Sequence, residues 1–399
     1  MTSARCVGGE TKVTMTQGRF AYDGSAKQVL TWHVPLTLGV VGKPVARAIV
    51  RGAKPTTVTV QGCGTVVLNR DEGSYARVAY DASAHAAIVR DFASLALTDQ
   101  LGTLGDDFAL AKGGNQRLDR YFADVGAIEP GANPLLWQTL AGQLSDLGGR
   151  LPKGAAKTAM RARIVTTLAP ALERVGFQAK QDESPLISTL RETLIAVLGD
   201  NGDPVVAEKA RRYVAALATD TNAIPAAIRQ PILGTYATNA TPAEWDALLK
   251  LTLAEKNPVV KNGYIRLLGY SDDDALARRA LGLLSTGDLT TPQKASLLRS
   301  VASSHPDMAF DFAVSNLALV NTLVETSNRA GFVSSLGAGS DDPAMPAKIT
   351  AFAAANLPLA ARGAAKATVA TMAARRLVNA RIRGDIAAWA TRGGSKSGS

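Results

Sequence analysis

The sequence has very few side chains from which a metal or nucleophilic site could be built. It contains only three histidines among 399 residues, and none of them is followed by glutamate. An H-E-x-x-H zinc motif, which needs two histidines and a glutamate on one helix face, is therefore excluded. We expect His33 to lie in the core or at the edge of a strand, and His85 and His305 to lie near helix ends, as caps or exposed to solvent.

Motifs for nucleophilic catalysis and phosphate binding are also missing. The sequence has no G-x-S-x-G, and the glycines at 102–105 are not followed by the Lys-Ser/Thr pair of a P-loop. Adjacent acids occur at 106–107, 272–274 and 341–342, where we expect helix starts or loops, because carboxylates stabilise the positive end of a helix. The sequence thus predicts no catalytic residue, no metal ligand and no cofactor in this chain.

Two cysteines leave two alternatives open. Cys6 and Cys63 have no C-x-x-C spacing, so a zinc knuckle is excluded. Both lie within the first 81 residues, and they could form a disulfide in an oxidising compartment or remain two small, unpaired apolar side chains. This pair slightly favours the periplasm over the cytoplasm. Heavy use of alanine and arginine indicates a bacterial source.

Long apolar runs and a uniform basic surface are absent as well. The longest apolar run lies between Lys348 and Arg362, is 13 residues long and contains Asn356 and Pro358, so no membrane span is predicted. The net charge is +10, but residues 362–399 alone hold eight Lys or Arg against a single acid, Asp385. A nearly neutral body with a basic end is not typical of a nucleic-acid groove, so we expect no nucleic acid as partner.

The first 81 residues have the pattern of a β-sandwich. Val13 and Met15 alternate with polar residues, as do Val58 and Val60, and turn residues separate five to seven such segments. Pro35 interrupts the apolar run at 29–41 and cannot donate to a strand ladder. This run is therefore predicted to form a strand pair or a bent edge.

From residue 82 onward the apolar period changes to that of helices. A capping residue followed by proline recurs six times, which predicts many short helices of 10 to 18 residues. These pairs are Asn133-Pro134, Ser184-Pro185, Asp203-Pro204, Thr241-Pro242, Asn257-Pro258 and Thr291-Pro292. The chain is thus predicted to be mostly α with a small β domain: a sandwich at 1–81, an irregular HEAT/armadillo-like α-superhelix at 82–392 and a flexible tail at 393–399.

Four segments follow one another along the first part of the chain: QGRF at 17–20, WHVPL at 32–36, GSYARVAY at 73–80 and LTDQLGTLGDDFALAKGG at 97–114. In sequence and order they resemble segments of the C-terminal half of the gluzincin zinc aminopeptidases, the aminopeptidase N, puromycin-sensitive and endoplasmic-reticulum types. The resemblance implies the last two domains of a four-domain enzyme, in which the superhelix covers the peptide as a lid. The zinc-binding catalytic domain of that family has no counterpart here, so the zinc belongs to the parent enzyme.

Two functions remain open at this stage. The first is a non-catalytic portion of an aminopeptidase, whose partners are a peptide substrate and a catalytic domain that is missing here or on a separate chain. The alternative is a free-standing α-superhelical scaffold that binds a protein. Four arginines near the C-terminus either bind a peptide carboxylate or line a solvated face, namely Arg375, Arg376, Arg381 and Arg383.

Overall fold

The chain is mostly helical with a small strand module at its N-terminus. The computed structural model describes residues 2–23, 25 and 30–392. Within these residues, six strands are followed by 17 α-helices, so the predicted fold class is confirmed. The tail predicted at 393–399 lies outside the described residues.

The strand module consists of two three-stranded antiparallel sheets. The strands are β1 (Thr2–Val7), β2 (Glu10–Met15), β3 (His33–Val40), β4 (Ala46–Arg51), β5 (Thr56–Gln61) and β6 (Val66–Leu68). The sheet orders are β1-β2-β5 and β4-β3-β6, and β5 contacts both β3 and β4. Alternate residues such as Val13, Met15 and Leu38 are buried between the sheets, as the period of two requires.

Pro35 lies in a strand that is central in the sheet order, yet it breaks no ladder. It stands opposite Ile49 of β4, whereas β6 pairs with β3 only from Leu38 to Val40. On the side of β3 away from β4, Pro35 therefore faces no strand of the described chain. Its missing N–H costs no hydrogen bond. The predicted bent edge is thus confined to the first half of β3. Val29, at the start of the predicted apolar run, lies outside the described residues.

The helices follow one another with short connections. They are α1 (Ala82–Arg90), α2 (Leu97–Gly113), α3 (Asp119–Ala127), α4 (Pro134–Gly149), α5 (Ala155–Val175), α6 (Pro185–Asp200), α7 (Pro204–Ala216), α8 (Arg229–Thr238), α9 (Pro242–Ala254), α10 (Pro258–Leu267), α11 (Asp274–Gly282), α12 (Thr291–Ser304), α13 (Pro306–Ser315), α14 (Leu317–Leu323), α15 (Thr326–Leu336), α16 (Met345–Asn356) and α17 (Gly363–Thr391). In the described part of the chain, none of them is both long and apolar enough for a membrane crossing. Their lengths, 7 to 29 residues, exceed the predicted range at both ends.

Five of the six predicted cap-proline pairs begin a helix as expected. In α9 the capping box is complete, because Glu244 accepts from the Thr241 backbone at 2.7 Å and donates its own backbone N–H to the Thr241 hydroxyl at 3.3 Å. The prediction for α12 is wrong by one residue. Its cap is Thr290, whose N–H donates to Gln293 Oε1 at 2.9 Å, because Gln293 stands three residues after Thr290 as a capping box requires.

The described residues form two compact units. The first comprises residues up to Arg174, Ser184–Leu190 and the chain from Arg376 onward, and the second comprises Val175–Glu183 and Arg191–Arg375. The first unit therefore contains both the strand module and α1 to α4. The division into domains at 81/82 stays a prediction.

Candidate functional site

The end of the strand module is held by a carboxylate from α2. After β6 the backbone turns through left-handed conformations at Asn69 and Asp71. The Asn69 side-chain amide donates to the Ser74 carbonyl and accepts the Ser74 N–H, both at 2.9 Å. Asp99 of α2 accepts the Asp71 N–H at 3.0 Å and lies 3.4 Å from Arg70 Nε. Because non-glycine residues adopt this backbone conformation only at a cost, these bonds stabilise the turn.

A second carboxylate of α2 binds the next segment of the chain. Asp106 accepts the Val78 N–H at 2.7 Å and a hydrogen bond from Arg77 at 3.1 Å. Burial raises the pKa of Asp106 to about 7, although these two donors oppose the shift. Nearby, Tyr80 is buried and its hydroxyl accepts the Leu68 N–H at 2.9 Å; burial raises the Tyr80 pKa. Asp99 and Asp106 thus fix the segment 69–80 onto α2.

The third feature is a buried group of His85, Asp107 and Asp124, hereafter the His85 cluster. These residues come from the first turn of α1, the middle of α2 and the middle of α3. His85 Nε2 lies 2.8 Å from Asp107 Oδ2 and 3.1 Å from Asp124 Oδ1. The three residues are only 6%, 1% and 0% exposed. They therefore tie three helices together out of reach of any substrate in solution.

The titration of the His85 cluster reflects its burial and its close charges. Burial alone would lower the pKa of His85, but the hydrogen bonds to Asp107 and Asp124 outweigh it and raise the pKa to about 9. Burial also raises the pKa of Asp124 to about 7, with the hydrogen bond from His85 acting in the opposite direction. His85 and Asp124 thus hold their protons more firmly than the isolated groups would.

The hydrogen bonds of the cluster are incomplete. His85 Nε2 carries a single hydrogen, which two carboxylate oxygens must share: Asp107 Oδ2 at 2.8 Å and Asp124 Oδ1 at 3.1 Å. Among the residues that the structure describes, none donates to Asp124 Oδ2, which is buried. Gln116 donates to the other oxygen of Asp107 at 2.7 Å and fixes the orientation of that carboxylate. The cluster therefore offers buried, oriented acceptor atoms.

Several sequence predictions at this site need correction. His85 is not an exposed or capping residue, because it is buried and its ring contacts the carboxylates of Asp107 and Asp124. Asp106 and Asp107 lie in the middle of α2 and not at a helix start, since α2 begins nine residues before Asp106. His305 does lie at a helix start, but it is buried with Nε2 2.8 Å from the Ser271 carbonyl. His33 is at the exposed start of β3, an edge position as predicted.

The cysteines and arginines can now be located. Cys6 of β1 and Cys63 are joined in a disulfide, with Cα atoms 5.4 Å apart, which lies within the range that a disulfide needs. Whether the bond forms in the native compartment stays a prediction. Arg381 donates to the carbonyls of Tyr22 at 2.8 Å and Lys112 at 3.0 Å.

The other C-terminal arginines also have partners within the chain. Arg383 donates to the Arg150 carbonyl, and Arg375, in the second unit, donates to the Ser340 carbonyl. Arg376 has a partner too. Asp385, the one acid in the sequence from 362 to 399, is paired with Arg117 at 2.7 Å, and Asp341 lies 3.9 Å from Arg375. These contacts give Arg375, Arg381 and Arg383 structural roles, and their predicted role in peptide binding stays a prediction.

An open cleft lies in the second unit, between α11 and α13. Its volume is about 620 Å³. Apolar side chains form its floor and charged ones stand at its rim. The lining residues are Arg278, Leu281, Gly282, Met308, Asp311, Phe312, Ser315 and Asn316. The cleft is a shallow depression that opens widely to solvent.

The protein is thus a mainly helical chain in which a strand module is joined through buried carboxylates to a long series of short helices. The profile of the ERAP1-like C-terminal domain matches residues 65–374 of this chain. The chain belongs to this family. The resemblance to the C-terminal half of the zinc aminopeptidases is thereby confirmed.

Individual relatives agree with this assignment. Aminopeptidase M1-D of Oryza sativa subsp. japonica is 22% identical over 344 residues, which cover 76% of this chain and 37% of the rice protein. Aminopeptidase M1-A of the same plant is 23% identical over 321 residues, with coverages of 75% and 36%. Tricorn protease-interacting factor F2 of Thermoplasma acidophilum is 24% identical over 136 residues, with coverages of 34% and 16%. The chain thus spans little more than a third of the length of the rice relatives.

Proposed function

We propose that this chain is the non-catalytic C-terminal portion of a zinc-dependent aminopeptidase and encloses the peptide substrate over an active site in a separate catalytic domain. The observation that carries this proposal is the family match over residues 65–374, together with two aminopeptidase relatives of which the chain covers 37% and 36%. Zinc and the reacting groups belong to the catalytic domain. The contribution of this chain is to bind and confine the peptide.

In this proposal the peptide lies along the open α11–α13 cleft. Phe312 and Met308 provide apolar area for a side chain, and the exposed guanidinium of Arg278 stands at the rim. A guanidinium at this position suits a peptide carboxylate, because charge-assisted hydrogen bonds are stronger than neutral ones. Asp311, 3.8 Å from Lys348, supplies the opposite charge for a basic group.

The outer face of the strand module bears on the alternative of a free-standing scaffold. A surface that meets a catalytic domain should be apolar, whereas a free scaffold should be charged there. Pro35 and Ile49 face each other across β3 and β4, Ile49 is 45% exposed, and Tyr75 is fully exposed. Ser74, next to Tyr75, donates to the Pro35 carbonyl, so these apolar residues are close together. Arg47 and Arg51 are exposed on the same face of β4 as Ile49, so this face is mixed and favours neither function.

The disulfide supports a proposal about the compartment. A bond between Cys6 and Cys63 persists only where thiols are not kept reduced. This is the basis for proposing the periplasm in preference to the cytoplasm.

Peptide binding tests the enclosing role. We expect a fluorescent peptide with a free carboxylate to bind the purified chain saturably, and to bind less tightly at high salt. Replacing Arg278→Gln and Phe312→Ala together removes the charge and the apolar floor, so the affinity measured by anisotropy should fall by about tenfold, equivalent to about 1.4 kcal/mol. Arg212→Gln, an exposed charge on α7, is the matched control and should bind as the wild type does.

The four C-terminal arginines provide a second comparison. Changing Arg375, Arg376, Arg381 and Arg383 to glutamine removes hydrogen bonds to backbone carbonyls. The variant should therefore unfold at a lower temperature but bind the peptide within about twofold of the wild type, because a twofold change is under 0.5 kcal/mol. If the Arg278→Gln, Phe312→Ala variant binds the peptide as tightly as the wild type does, or if neither protein binds it, the cleft is not the peptide-binding surface.

A further inference from the structure

We propose that the His85 cluster is a binding site for one divalent transition-metal ion, Zn²⁺ or Mn²⁺, which joins α1, α2 and α3. The cluster is buried within the first unit. The role of the ion would be to stabilise the fold. The proposal rests on the positions of the ligand atoms, on the charge of the cluster and on the incomplete hydrogen bonds.

Two of the three separations between the ligand atoms are close to those that a shared metal ion requires. One nitrogen and two carboxylate oxygens all lie within 4.8 Å of one another. His85 Nε2 is 2.8 Å from Asp107 Oδ2 and 3.1 Å from Asp124 Oδ1. Ligands bound at about 2.0–2.1 Å and at angles between the octahedral and tetrahedral values are about 2.9–3.3 Å apart. A small adjustment of the three side chains would therefore place each ligand atom at bonding distance.

The charge of the cluster also favours a dication. When both are ionised, Asp107 and Asp124 bring two negative charges into the core, where unpaired charge is costly. A protonated His85 neutralises only one of them. A divalent ion with a neutral imidazole neutralises both, and it would bind Asp107 Oδ2 and Asp124 Oδ1 directly, where one His85 hydrogen now lies between two acceptors.

The donor set and its surroundings indicate the class of metal. Imidazole suits Zn²⁺ and other late first-row ions, while carboxylates suit harder ions such as Mn²⁺, so a mixed set of one nitrogen and two oxygens points to these two. Gln116 Nε2 donates to Asp107 Oδ1 at 2.7 Å, which orients the carboxylate as the outer partners of metal ligands usually do. A fourth ligand would be water.

Burial determines how the ion would enter. Because all three ligands are nearly inaccessible, the ion would be taken up as α1 to α3 fold, and a chelator would remove it only on unfolding. Refolding is therefore the step at which to control the metal.

The test is metal content and thermal stability of the full chain after refolding. The wild type, refolded with Zn²⁺ or Mn²⁺ and then desalted, should retain about one ion per chain. It should unfold at a higher temperature than the same protein refolded with a chelator. Asp124→Asn should abolish retention, and Gln116→Ala should weaken metal affinity by about 10- to 100-fold. Asp119→Asn, an exposed acid on the same helix, should retain the ion as the wild type does.

The comparison of metal-loaded and chelator-treated wild type does not depend on whether a variant folds. If the refolded wild type retains well under a tenth of an ion per chain with either metal, and its unfolding temperature is the same in metal and in chelator, the cluster is neutralised by protons alone and the proposal is wrong. If Asp124→Asn retains as much metal as the wild type does, the ion is bound elsewhere and the proposal is equally wrong.

Discussion

Replacing His85 with alanine should destabilise the first unit by about 3–5 kcal/mol, the loss expected when one partner of a buried charge pair is removed. The substitution leaves Asp107 and Asp124 buried against each other with no cation between them. Native-state hydrogen exchange is the appropriate measurement, because it reports the opening free energy of α1 to α3 separately from that of the helices in the second unit. Amides of α9 to α12 should be unaffected.

Two further variants separate the loss of charge from the loss of packing. His33→Ala removes an exposed histidine of the same unit and should change stability by less than about 0.5 kcal/mol. Adding Asp107→Asn and Asp124→Asn to His85→Ala removes the buried charges and should recover part of the stability. If His85→Ala costs less than about 1 kcal/mol, a value typical of exposed pairs, the cluster does not hold the three helices.

Replacing Trp245 with alanine should destabilise the second unit by a similar amount, about 3–5 kcal/mol. Trp245 of α9 is 1% exposed, its indole N–H donates to the Leu268 carbonyl at 3.0 Å, and the Arg279 guanidinium lies 4.5 Å from the ring centre. Removal of the ring leaves a large cavity and an unpaired carbonyl. Hydrogen exchange in α9 to α12 should report the loss, and α1 to α3 should not change.

Trp245→Phe is the informative intermediate. It retains most of the ring volume but loses the hydrogen bond to Leu268, so it should cost about 1–3 kcal/mol, the penalty for a buried group without a partner. Val259→Ala changes a side chain of the same unit that is 79% exposed, and its effect should stay under about 0.5 kcal/mol. Equal effects of Val259→Ala and Trp245→Ala would contradict the described core.

Local signals in the sequence were sufficient for most of the fold. The alternation around Val13 and Met15 predicted buried strand positions, and the pair Thr241-Pro242 with Glu244 predicted the start of α9, because both depend only on neighbouring residues. The start of α12 was missed by one residue because Thr290 and Thr291 are both acceptable caps and only Thr290 stands three residues before Gln293.

The His85 cluster could not be found in the same way. His85 and Asp124 are 39 residues apart, and only the packing of three helices brings them together. One signal was available: Asp107 stands on the same helix face as Leu104, Leu110 and Ala111, where a carboxylate must be buried and therefore needs a partner. That signal predicts a buried acid, but it does not identify the histidine that faces it.

The central claim is that this chain binds the peptide of an aminopeptidase but does not cleave it, and one measurement tests this claim most directly. The purified chain is incubated with an unmodified peptide, and mass spectrometry follows both the bound and the released material, with and without a chelator. The account predicts that the peptide binds and stays intact in both conditions, because the sequence contains no H-E-x-x-H motif. Release of N-terminal amino acids that copurifies with the chain and stops on adding the chelator would contradict it.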